Sequence, residues 1–408
     1  MSAEQRLIRY CRIDTQSNPD NEAETPSSRK QFDLGKLLLK ELKELGIKDA
    51  SIDTHCYVYG HLEANNGKKK GVTVGFIAHM DTAPDYSGTH VKPRIIRNFD
   101  GRDIKLSDTV VTKMKDFPQM KQLKGKDLIV TDGTTLLGAD DKAGITCIME
   151  ALAWYQKHPE VKHGRIAIAF TPDEEIGCGT KFFDLKKFHA DFAYTMDGGT
   201  VRELSDETFN AASAEIEITG FSIHPGEAKN RMINAASIAA SLHCLLPEDM
   251  TPEHTEGREG FIHLGYLKGD TDHAEMAYIL RDHDAKKLKE KKQLVQKAVD
   301  YINAKQGQKV AVVKFSDTYR NMNEVLKNHP QVSRIAEQAM KELNLEPLRE
   351  PVRGGTDGAL LSFRGLPCPN LGNGGGNFHG RYEYCVIQEL EQASLVIRKI
   401  AELVSREE

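Results

Sequence analysis

Acidic and histidine-bearing stretches follow apolar runs in this chain that are typical of buried strands. The stretch "HMD" brings His79 and Asp81 to the end of one run, and residues two apart in an extended chain point to the same side. The run RIAIAF leads into "TPDEE", which sets Glu174 and Glu175 side by side. Imidazole and carboxylate groups bind divalent metals and move protons. These stretches are therefore the first candidates for catalysis.

Three further stretches carry side chains of the same kinds. One follows the strand-like run Phe192–Met196, and another opens a helix after strand-like Thr135–Leu137. The third, "LGNGGGNFHG", is rich in glycine, so its backbone can approach another group closely. Their candidate side chains are, in chain order, Asp140 and Asp141, Asp197, and His379.

Taken singly, each stretch has a purely structural explanation. A lone histidine is commonly a satisfied core residue, acidic pairs cap helices, and an aspartate before glycines favours a turn. Taken together, the stretches bring carboxylate and imidazole groups to the carboxyl ends of strands, where ligands bind in open parallel sheets. Unpaired charge of this density would repel itself, so the cluster predicts a bound cation.

The donor set indicates which metals would suit the cluster. Oxygen and nitrogen ligands without cysteine favour a catalytic zinc, manganese or cobalt site over a structural zinc site. Charge balance favours two ions, because the carboxylates of Asp140, Glu175 and Asp197 together with one bridging hydroxide would neutralise two divalent cations. Protein ligands shared between two metals also leave room for water and substrate, as two-metal hydrolysis requires.

The elements that must position these residues alternate between helix and strand in the first half of the chain. Such alternation predicts an α/β domain with a mostly parallel sheet. Residues 86–132 interrupt it and are predicted to form a long excursion with short β segments. The other predicted elements are helix Ser28–Leu45, strands Ser51–Leu62 and Val72–Ala78, helix Ala143–His158 and strand Arg165–Thr171.

The pattern changes to β-α-β-β-α-β over residues 208–319, which is the order of a ferredoxin-like arrangement. The predicted helices there are Ala228–Leu246 and Ala285–Asn303. The α/β pattern then resumes, so we expect a discontinuous catalytic domain over residues 1–207 and 320–408. Residues 208–319 would form an inserted domain.

The composition is that of an ordinary globular chain, with 408 residues, 28% charged, 39% hydrophobic and a net charge of −5. The short clusters Lys68–Lys70 and Lys286–Lys292 do not form the basic stripe that nucleic-acid binding needs. No segment reaches the ~18 apolar residues of a membrane span. We therefore expect neither nucleic acid nor membrane as a partner.

Cysteine usage and the N-terminal stretch bear on the compartment. The stretch MSAEQRLIRYCRIDTQ is polar and lacks the apolar core of a signal peptide. The seven cysteines are scattered without a close pair, which argues against a disulfide framework and a thiolate zinc site. Cys178 is expected to be inert, because the neighbouring carboxylates would raise its pKa. The expected location is the cytoplasm.

The same stretches carry a family resemblance. "HMD", "LLGADDKAG", "FTPDEEIG", "YTMDGG" and "NFHG" resemble the metal-site motifs of the dinuclear-zinc metallopeptidase superfamily, which also holds carboxypeptidases and aminoacylases. "GFIAHMDTAPDYSG", "NAAS", "EGREGF" and "RGGTDGALLSFRGLPCPNL" narrow the resemblance to its peptidase T family of tripeptide aminopeptidases. It covers essentially the whole chain, with no departure at the metal-site positions.

The resemblance implies two zinc ions per subunit, with cobalt or manganese as possible replacements. His79 and Asp197 would bind one zinc. Glu175 and His379 would bind the second zinc. Asp140 would bridge the two ions.

Other roles follow from the same resemblance. Glu174 would be the general base that activates a bridging hydroxide for attack on the scissile carbonyl, and then the acid that protonates the leaving amine. Asp81 would accept a hydrogen bond from the second ring nitrogen of His79. Asp141 would lie outside the ligand set, joined to Asp140 by a cis peptide bond. The implied reaction is removal of the N-terminal residue of a tripeptide by a homodimer. The resemblance also implies that the inserted domain of 208–319 serves dimerisation and covers the site as a lid.

The inserted segment supplies candidates for substrate binding. By the same resemblance, His224 would reach the active site of the partner subunit and stabilise the oxyanion, although a surface-loop histidine is the alternative. A guanidinium offers a bidentate fit to the peptide carboxylate, but the two arginines could instead pair with Asp282 and Asp357. The carboxylate-binding candidates are Asn234, Arg281 and Arg353.

Two other kinds of protein remain open at this point. The same metal centre could serve a carboxypeptidase, a dipeptidase or an N-deacylase acting on another amide. A protein that binds metal and dimerises without catalysis is the second alternative. Such a binder has no use for a free carboxylate at Glu174, so that residue discriminates between the two classes.

Overall fold

The computed structural model describes residues 1–67 and 71–406. The lysine cluster Lys68–Lys70 lies outside the described residues. Contacts between Cα atoms divide the chain into two units. The first unit comprises Met1–Asp206, Val325–Glu350 and Thr356–Glu408, and the second unit comprises Glu207–Glu324 and Pro351–Gly355.

The strands are numbered here in chain order. They are β1 Ser51–Ile52, β2 Val58–Leu62, β3 Val74–His79, β4 Arg94–Ile96, β5 Ile104–Lys105, β6 Val111–Thr112, β7 Leu128–Val130, β8 Ile166–Thr171, β9 Phe192–Gly198, β10 Glu203–Ser205, β11 Asn210–Thr219, β12 Phe261–Gly269, β13 His273–Asp282, β14 Ala311–Tyr319, β15 Leu348–Arg349, β16 Asn370–Gly372, β17 Gly375–Gly376 and β18 Tyr384–Val386.

The α-helices are numbered in the same way. They are α1 Ala3–Cys11, α2 Gln31–Glu44, α3 Ala139–Lys157, α4 Leu185–Phe188, α5 Ala235–His243, α6 Ala285–Gln306, α7 Asn323–Leu326, α8 Pro330–Glu342, α9 Asp357–Phe363 and α10 Ile387–Arg406.

The first unit is built on a mixed sheet with strand order β1-β2-β8-β3-β9-β16-β10-β15. Its central strands β8, β3, β9 and β16 are parallel. On one side β2 pairs antiparallel with both β8 and β1, and on the other β10 pairs antiparallel with β16 and parallel with β15. Because β3, β8 and β9 run in one direction, their carboxyl ends meet at the same edge of the sheet. The expectation of a mostly parallel central sheet is confirmed.

Helices cover both faces of this sheet, which explains why β3 and β8 are apolar and buried along their whole length. Successive strand residues point to opposite faces. Phe76 accordingly packs in the cluster that contains α3 and α10, and Ile77 packs with Phe188 and Leu361 from α4 and α9. The backbone of Gly75 approaches α4 so closely that a Cβ there would lie 2.5 Å from the Phe188 ring.

A second sheet of the first unit has the order β17-β18-β7-β4, with antiparallel pairing throughout. It joins the long excursion over 86–132 to the hairpin of β17 and β18, whose connecting loop carries His379. The short β segments predicted within the excursion are present as β4, β5, β6 and β7.

The second unit has the element order β11-α5-β12-β13-α6-β14, and its antiparallel sheet has the order β12-β13-β11-β14. These are the order and pairing of a ferredoxin-like fold, as the sequence predicts. The helices pack on the sheet through a separate hydrophobic cluster that includes Ile216, Leu242, Met276 and Val299.

Three predicted elements are wrong. The single strand predicted over Ser51–Leu62 is instead a hairpin, in which β1 and β2 pair antiparallel. Thr135–Leu137 is not a strand, and the strand in that region is β7, which ends before it. The helix predicted over Ala228–Leu246 is much shorter in the structure, because Ile233 pairs with Phe221 in a β-bridge and Asn234 then caps α5. Among the described residues, no helix is long and apolar enough to cross a membrane.

Candidate metal centre

His79 is the last residue of β3, and its buried imidazole points into a group of carboxylates. Its Nε2 lies 2.9 Å from Oδ1 of Asp140 and 3.6 Å from Oδ1 of Asp197. Asp197 comes from the adjacent parallel strand β9, so the sheet itself brings these two residues together. Asp140 comes instead from the start of α3, where its own backbone angles are not helical.

Asp140 faces a second histidine with its other oxygen. Its Oδ2 lies 3.4 Å from Nε2 of His379, and that same ring nitrogen lies 3.0 Å from Oε2 of Glu175. Glu175 belongs to the short 3-10 turn that follows β8. Asp140 therefore stands between two groups, with one oxygen towards His79 and Asp197 and the other towards His379 and Glu175.

Asp81 holds both glutamates through their backbone. Its Oδ1 accepts the main-chain N–H of Glu174 at 3.0 Å, and its Oδ2 accepts that of Glu175 at 3.1 Å. The Nδ1 of His79 lies 3.0 Å from the main-chain oxygen of Asp81 and 3.3 Å from its Oδ1. The nearest acceptor for this ring nitrogen is thus the carbonyl oxygen, whereas the sequence predicts the carboxylate.

Asp141 is fully buried, and its carboxylate is already engaged. Its Oδ2 accepts the N–H of His79 at 3.2 Å, while its Oδ1 accepts the N–H of Gly144 at 3.1 Å and the Nδ2 of Asn373 at 2.9 Å. Although Asp141 lies within ligand distance of His79 and Asp197, these hydrogen bonds occupy its oxygens. The expected cis peptide bond between Asp140 and Asp141 is present.

Burial and crowding displace the pKa values of the cluster. Burial raises the pKa of Glu175 to about 8 and that of Asp197 to about 6, with Asp140 adding to both shifts. Burial lowers the pKa of His79, but its carboxylate neighbours more than offset this and hold it above the usual range. Hydrogen bonds with Asp140 and Glu175 raise the pKa of His379 to about 11.

These displacements mark a site that binds positive charge. Without a metal, the negative charge of the carboxylates is offset only by protons bound to the carboxylates themselves and to the two imidazoles. Glu175 Oε1 is buried and has no hydrogen-bond partner, although a buried carboxylate oxygen is normally satisfied. A divalent metal fits this donor set of oxygens and imidazole nitrogens, since it would bind the unsatisfied oxygen and neutralise the cluster.

Glu174 differs from its neighbour in having a free carboxylate. Among residues 1–67 and 71–406 its side-chain oxygens form no hydrogen bond or ion pair, and the side chain is only partly buried. Burial raises the pKa of Glu174 well above its ordinary value, and the negative charge of Asp197 adds to the shift. The carboxyl group can therefore accept and release a proton next to the cluster.

Asp173, the first acid of the run, has a defined place. It is buried, with a positive φ of 55°, and its Oδ1 accepts Ser27 Oγ at 2.5 Å and Gln31 Nε2 at 2.6 Å. Its Oδ2 accepts the N–H of Ser27 at 2.7 Å, and its own N–H donates to Gln31 Oε1 at 3.2 Å. Asp173 thus ties the Glu174–Glu175 turn to the beginning of α2.

Three buried polar residues of the site escaped the sequence analysis. Asn373 donates to Asp141 and to the main-chain oxygen of Met196 at 2.9 Å each. Asp357 accepts Thr171 Oγ1 at 2.8 Å, and burial raises the pKa of this carboxyl to about 7. The third is Glu383. Asn373 and Asp357 lie in stretches quoted above, but their hydrogen-bond partners in the site are distant in sequence, so no spacing indicates these roles.

The four substrate-binding candidates all lie in the second unit. His224 is exposed, and its Nδ1 accepts the N–H of Gly226 at 3.1 Å. Asn234 caps α5, with its Oδ1 accepting the N–H of Ser237 at 2.9 Å. Asp282, the alternative partner of Arg281, instead forms a 2.6 Å ion pair with Lys291.

The two arginines have different surroundings. The Arg281 guanidinium lies over the Tyr319 ring at 5.1 Å and donates to Leu280 O at 3.1 Å. Arg353 is more fully engaged: it lies against the Phe209 and Phe261 rings and donates to main-chain and side-chain oxygens of a single loop. Its acceptors are Gly257 O at 2.9 Å, Glu259 O at 2.8 Å, and Thr255 Oγ1 at 2.9 Å.

Most of the chain matches a known family of peptidases. Residues 130–403 match the sequence profile of "Peptidase family M20/M25/M40". A protein of Alkaliphilus oremlandii named Peptidase T is 50% identical over 405 residues, which cover 98% of this chain and 99% of that protein. The chain therefore belongs to peptidase family M20/M25/M40. Its resemblance to the peptidase T group within that family is confirmed.

Solved structures share the fold. The aminopeptidase PepT of Bacillus cereus superimposes with a TM-score of 0.76 at 24% identity, covering 98% of each chain. A tripeptidase of Staphylococcus aureus superimposes with a TM-score of 0.78 at 21% identity, covering 99% of this chain and 98% of its own. At these identities the likeness concerns the fold.

Proposed function

We propose that this chain is a metal-dependent aminopeptidase that removes the N-terminal residue from tripeptides. The observation that carries the proposal is the position of Asp140, whose two oxygens face two separate pairs of metal-binding side chains beside the free carboxylate of Glu174. Membership of the peptidase family and 50% identity to a Peptidase T support it.

The ligand assignment follows from the distances. His79 and Asp197 would hold one ion, Glu175 and His379 the other, and Asp140 both. We propose two zinc ions, for which cobalt or manganese could substitute because the same donors suit all three. When bound, such ions polarise a carbonyl oxygen and lower the pKa of water.

Glu174 would carry the proton during hydrolysis. Its carboxylate has no partner within the part of the chain that the structure describes, and the hydrogen bond from its main-chain N–H to Asp81 fixes the position of the residue. Glu174 would take a proton from the attacking water and deliver it to the amine that leaves, as a general base and then a general acid. Asp81 would act as a positioning residue, because it contacts the His79 ring and accepts the main-chain N–H groups of both glutamates.

The second unit would recognise the substrate and the partner subunit. We propose that His224 stabilises the oxyanion in the active site of the partner subunit, and that Asn234, Arg281 and Arg353 bind the peptide carboxylate. These roles, the homodimer, and the division into a catalytic domain and a lid domain rest on the family resemblance. A cytoplasmic location is supported by the seven cysteines, which are all free.

The test compares peptides that differ in length or in whether the N-terminal amine is blocked. Purified protein loaded with zinc, manganese or cobalt is expected to cleave trialanine much faster than dialanine, tetraalanine or N-acetyl-trialanine. Because both ends of trialanine are alanine, chromatography of the products from Leu-Gly-Gly should identify the cleaved end, since an aminopeptidase releases free leucine from it. Equal rates on the acetylated peptide would contradict an aminopeptidase and favour a carboxypeptidase or deacylase, and no cleavage by metal-loaded protein would favour a binding protein.

A further inference from the structure

Glu383 is a buried carboxylate that receives three main-chain N–H groups from one short segment. It is 1% exposed. Its Oε2 accepts the N–H of Leu137 at 2.7 Å and that of Gly138 at 2.8 Å, and its Oε1 accepts the N–H of Asp140 at 3.0 Å. Together they fix the backbone that leads into Asp140, in which Gly138 has a positive φ of 79°.

The same residue belongs to the loop that carries the late histidine. Glu383 lies four positions after His379, and its N–H donates to Gly380 O at 3.2 Å, which closes the turn between them. Immediately afterwards β18 pairs with β7, so Glu383 stands at the fixed end of the loop. One side chain thus joins two segments that are far apart in sequence and that each bring a residue to the cluster.

The carboxylate of Glu383 lies in an electrostatically unfavourable place. This indicates that the arrangement of its two accepting oxygens is what the position requires. A buried negative charge close to Asp140 is repelled by it and loses its hydration. An uncharged side chain in the same place would avoid that cost. Only a carboxylate, however, offers two oxygens that accept without donating, and three N–H groups converge on this position.

We propose that Glu383 is a positioning residue that sets the spacing between Asp140 and His379, and thereby the affinity of the protein for the metal that these two residues share. This inference rests on the proposed function, because it takes Asp140 and His379 as ligands. Glu383 itself binds neither metal nor substrate. It acts through the backbone of residues 137–140 on one side and the 379–383 turn on the other.

The variant Glu383→Gln tests the inference with little change in volume. A glutamine has one acceptor oxygen, and its amide N–H₂ would face a backbone N–H, so the hydrogen bonds to Gly138 and Asp140 cannot both be kept. Losing a residue that supports metal ligands commonly costs ~10–100-fold in metal affinity. We expect a loss of that size in a Zn²⁺ titration of the metal-free protein against a chromophoric chelator.

Two further readouts separate positioning from general stability. The visible spectrum of the Co²⁺-loaded variant should change, because the ligand geometry changes. At saturating metal, kcat should fall while KM for trialanine stays within about twofold. The matched control is Glu41→Gln, since Glu41 is also buried and accepts Tyr10 Oη at 2.5 Å. Glu41 is remote from the cluster, because it lies ten residues, or about 15 Å, along α2 from Gln31, the residue of that helix that bonds Asp173. It should leave metal affinity and the Co²⁺ spectrum unchanged.

Hydrogen exchange of the unaltered protein covers the case in which Glu383→Gln does not fold. Peptides spanning residues 134–141 should exchange slowly in metal-free protein, because three of their amides donate to Glu383. Rapid exchange there would overturn the inference. So would a Glu383→Gln variant whose Zn²⁺ affinity and Co²⁺ spectrum match those of the parent. If the parent protein itself binds no metal and cleaves no tripeptide, the proposed function fails instead.

Discussion

The carboxylate of Asp81 accepts the main-chain N–H of Glu174 at 3.0 Å, while its own carbonyl oxygen lies 3.0 Å from Nδ1 of His79. One residue therefore fixes both an imidazole of the metal centre and the turn that bears the free carboxylate. Asp81 is fully buried, so solvent cannot replace either contact. A change at this position should affect metal binding and proton transfer together.

We expect Asp81→Asn to lower both Zn²⁺ affinity and kcat by ~10–100-fold, because the asparagine can accept only one of the two glutamate N–H groups. Chelator competition and steady-state kinetics on trialanine measure the two effects. The control is Asp191→Asn, since Asp191 accepts the Thr73 N–H at 2.7 Å just before the opposite end of β3. Equal losses in both variants would show that Asp81 acts only through stability.

Alanine variants of Glu174 and Asp140 should distinguish loss of proton transfer from loss of metal binding. Glu174→Ala is expected to keep both metals and to lose ~10²–10⁴-fold in kcat, since a general base contributes on that scale. Asp140→Ala should lose metal as well, because Asp140 faces both pairs of ligands. Elemental analysis of the purified variants, together with kinetics, decides between these outcomes. Full activity in Glu174→Ala would remove its role in proton transfer.

Asp173→Asn should weaken the attachment of the Glu174–Glu175 turn to α2. The amide cannot accept from Ser27 Oγ, Ser27 N and Gln31 Nε2 together, and a lost buried hydrogen bond costs ~1–3 kcal/mol. Urea unfolding should show that loss, and kcat should fall with KM unchanged. A loss of stability with kcat intact would restrict Asp173 to holding the fold.

The residues of the cluster can be predicted from the sequence better than the residues that hold the cluster in place through hydrogen bonds. His79, Glu175 and Asp197 were accessible because parallel strands deliver their ends to one edge. Asp140 and His379 do not follow strands of the central parallel sheet: the strand expected before Asp140 is wrong, and His379 follows the short strand β17 of the second sheet. Glu383 and Asn373 could not be predicted, since the groups they bond in the site are more than a hundred residues away in sequence. For Glu383 these are main-chain N–H groups, and for Asn373 they are an oxygen of Asp141 and the Met196 carbonyl.

Metal binding should release protons at neutral pH. Hydrogen bonds with carboxylates raise the pKa of His379 to about 11, and burial raises that of Glu175 to about 8. Carboxylate neighbours also hold the pKa of His79 well above its ordinary value, so all three groups hold a proton at pH 7 in metal-free protein. Each must lose it to bind a metal. We expect about three protons released per chain and an affinity that rises from pH 6 to pH 8. Calorimetry in buffers of different ionisation enthalpy measures the release, and heats independent of the buffer would contradict it.

The two arginines of the second unit should respond differently to alanine. Arg353 already donates to the loop oxygens of Thr255, Gly257 and Glu259, so Arg353→Ala should chiefly make that loop sensitive to proteolysis. Arg281→Ala should chiefly raise KM for trialanine, and less so for C-terminally amidated trialanine, because only the free peptide offers a carboxylate. An equal rise in KM for both peptides would exclude carboxylate binding by Arg281.

The inserted unit interrupts the chain between Asp197 and His379. A ribosome making this protein therefore completes four members of the cluster first, then all of the second unit, and only afterwards the imidazole that completes the set. A nascent chain cannot assemble the full group of five until the insertion has been translated. The order of synthesis by itself delays the formation of a complete hydrolytic centre.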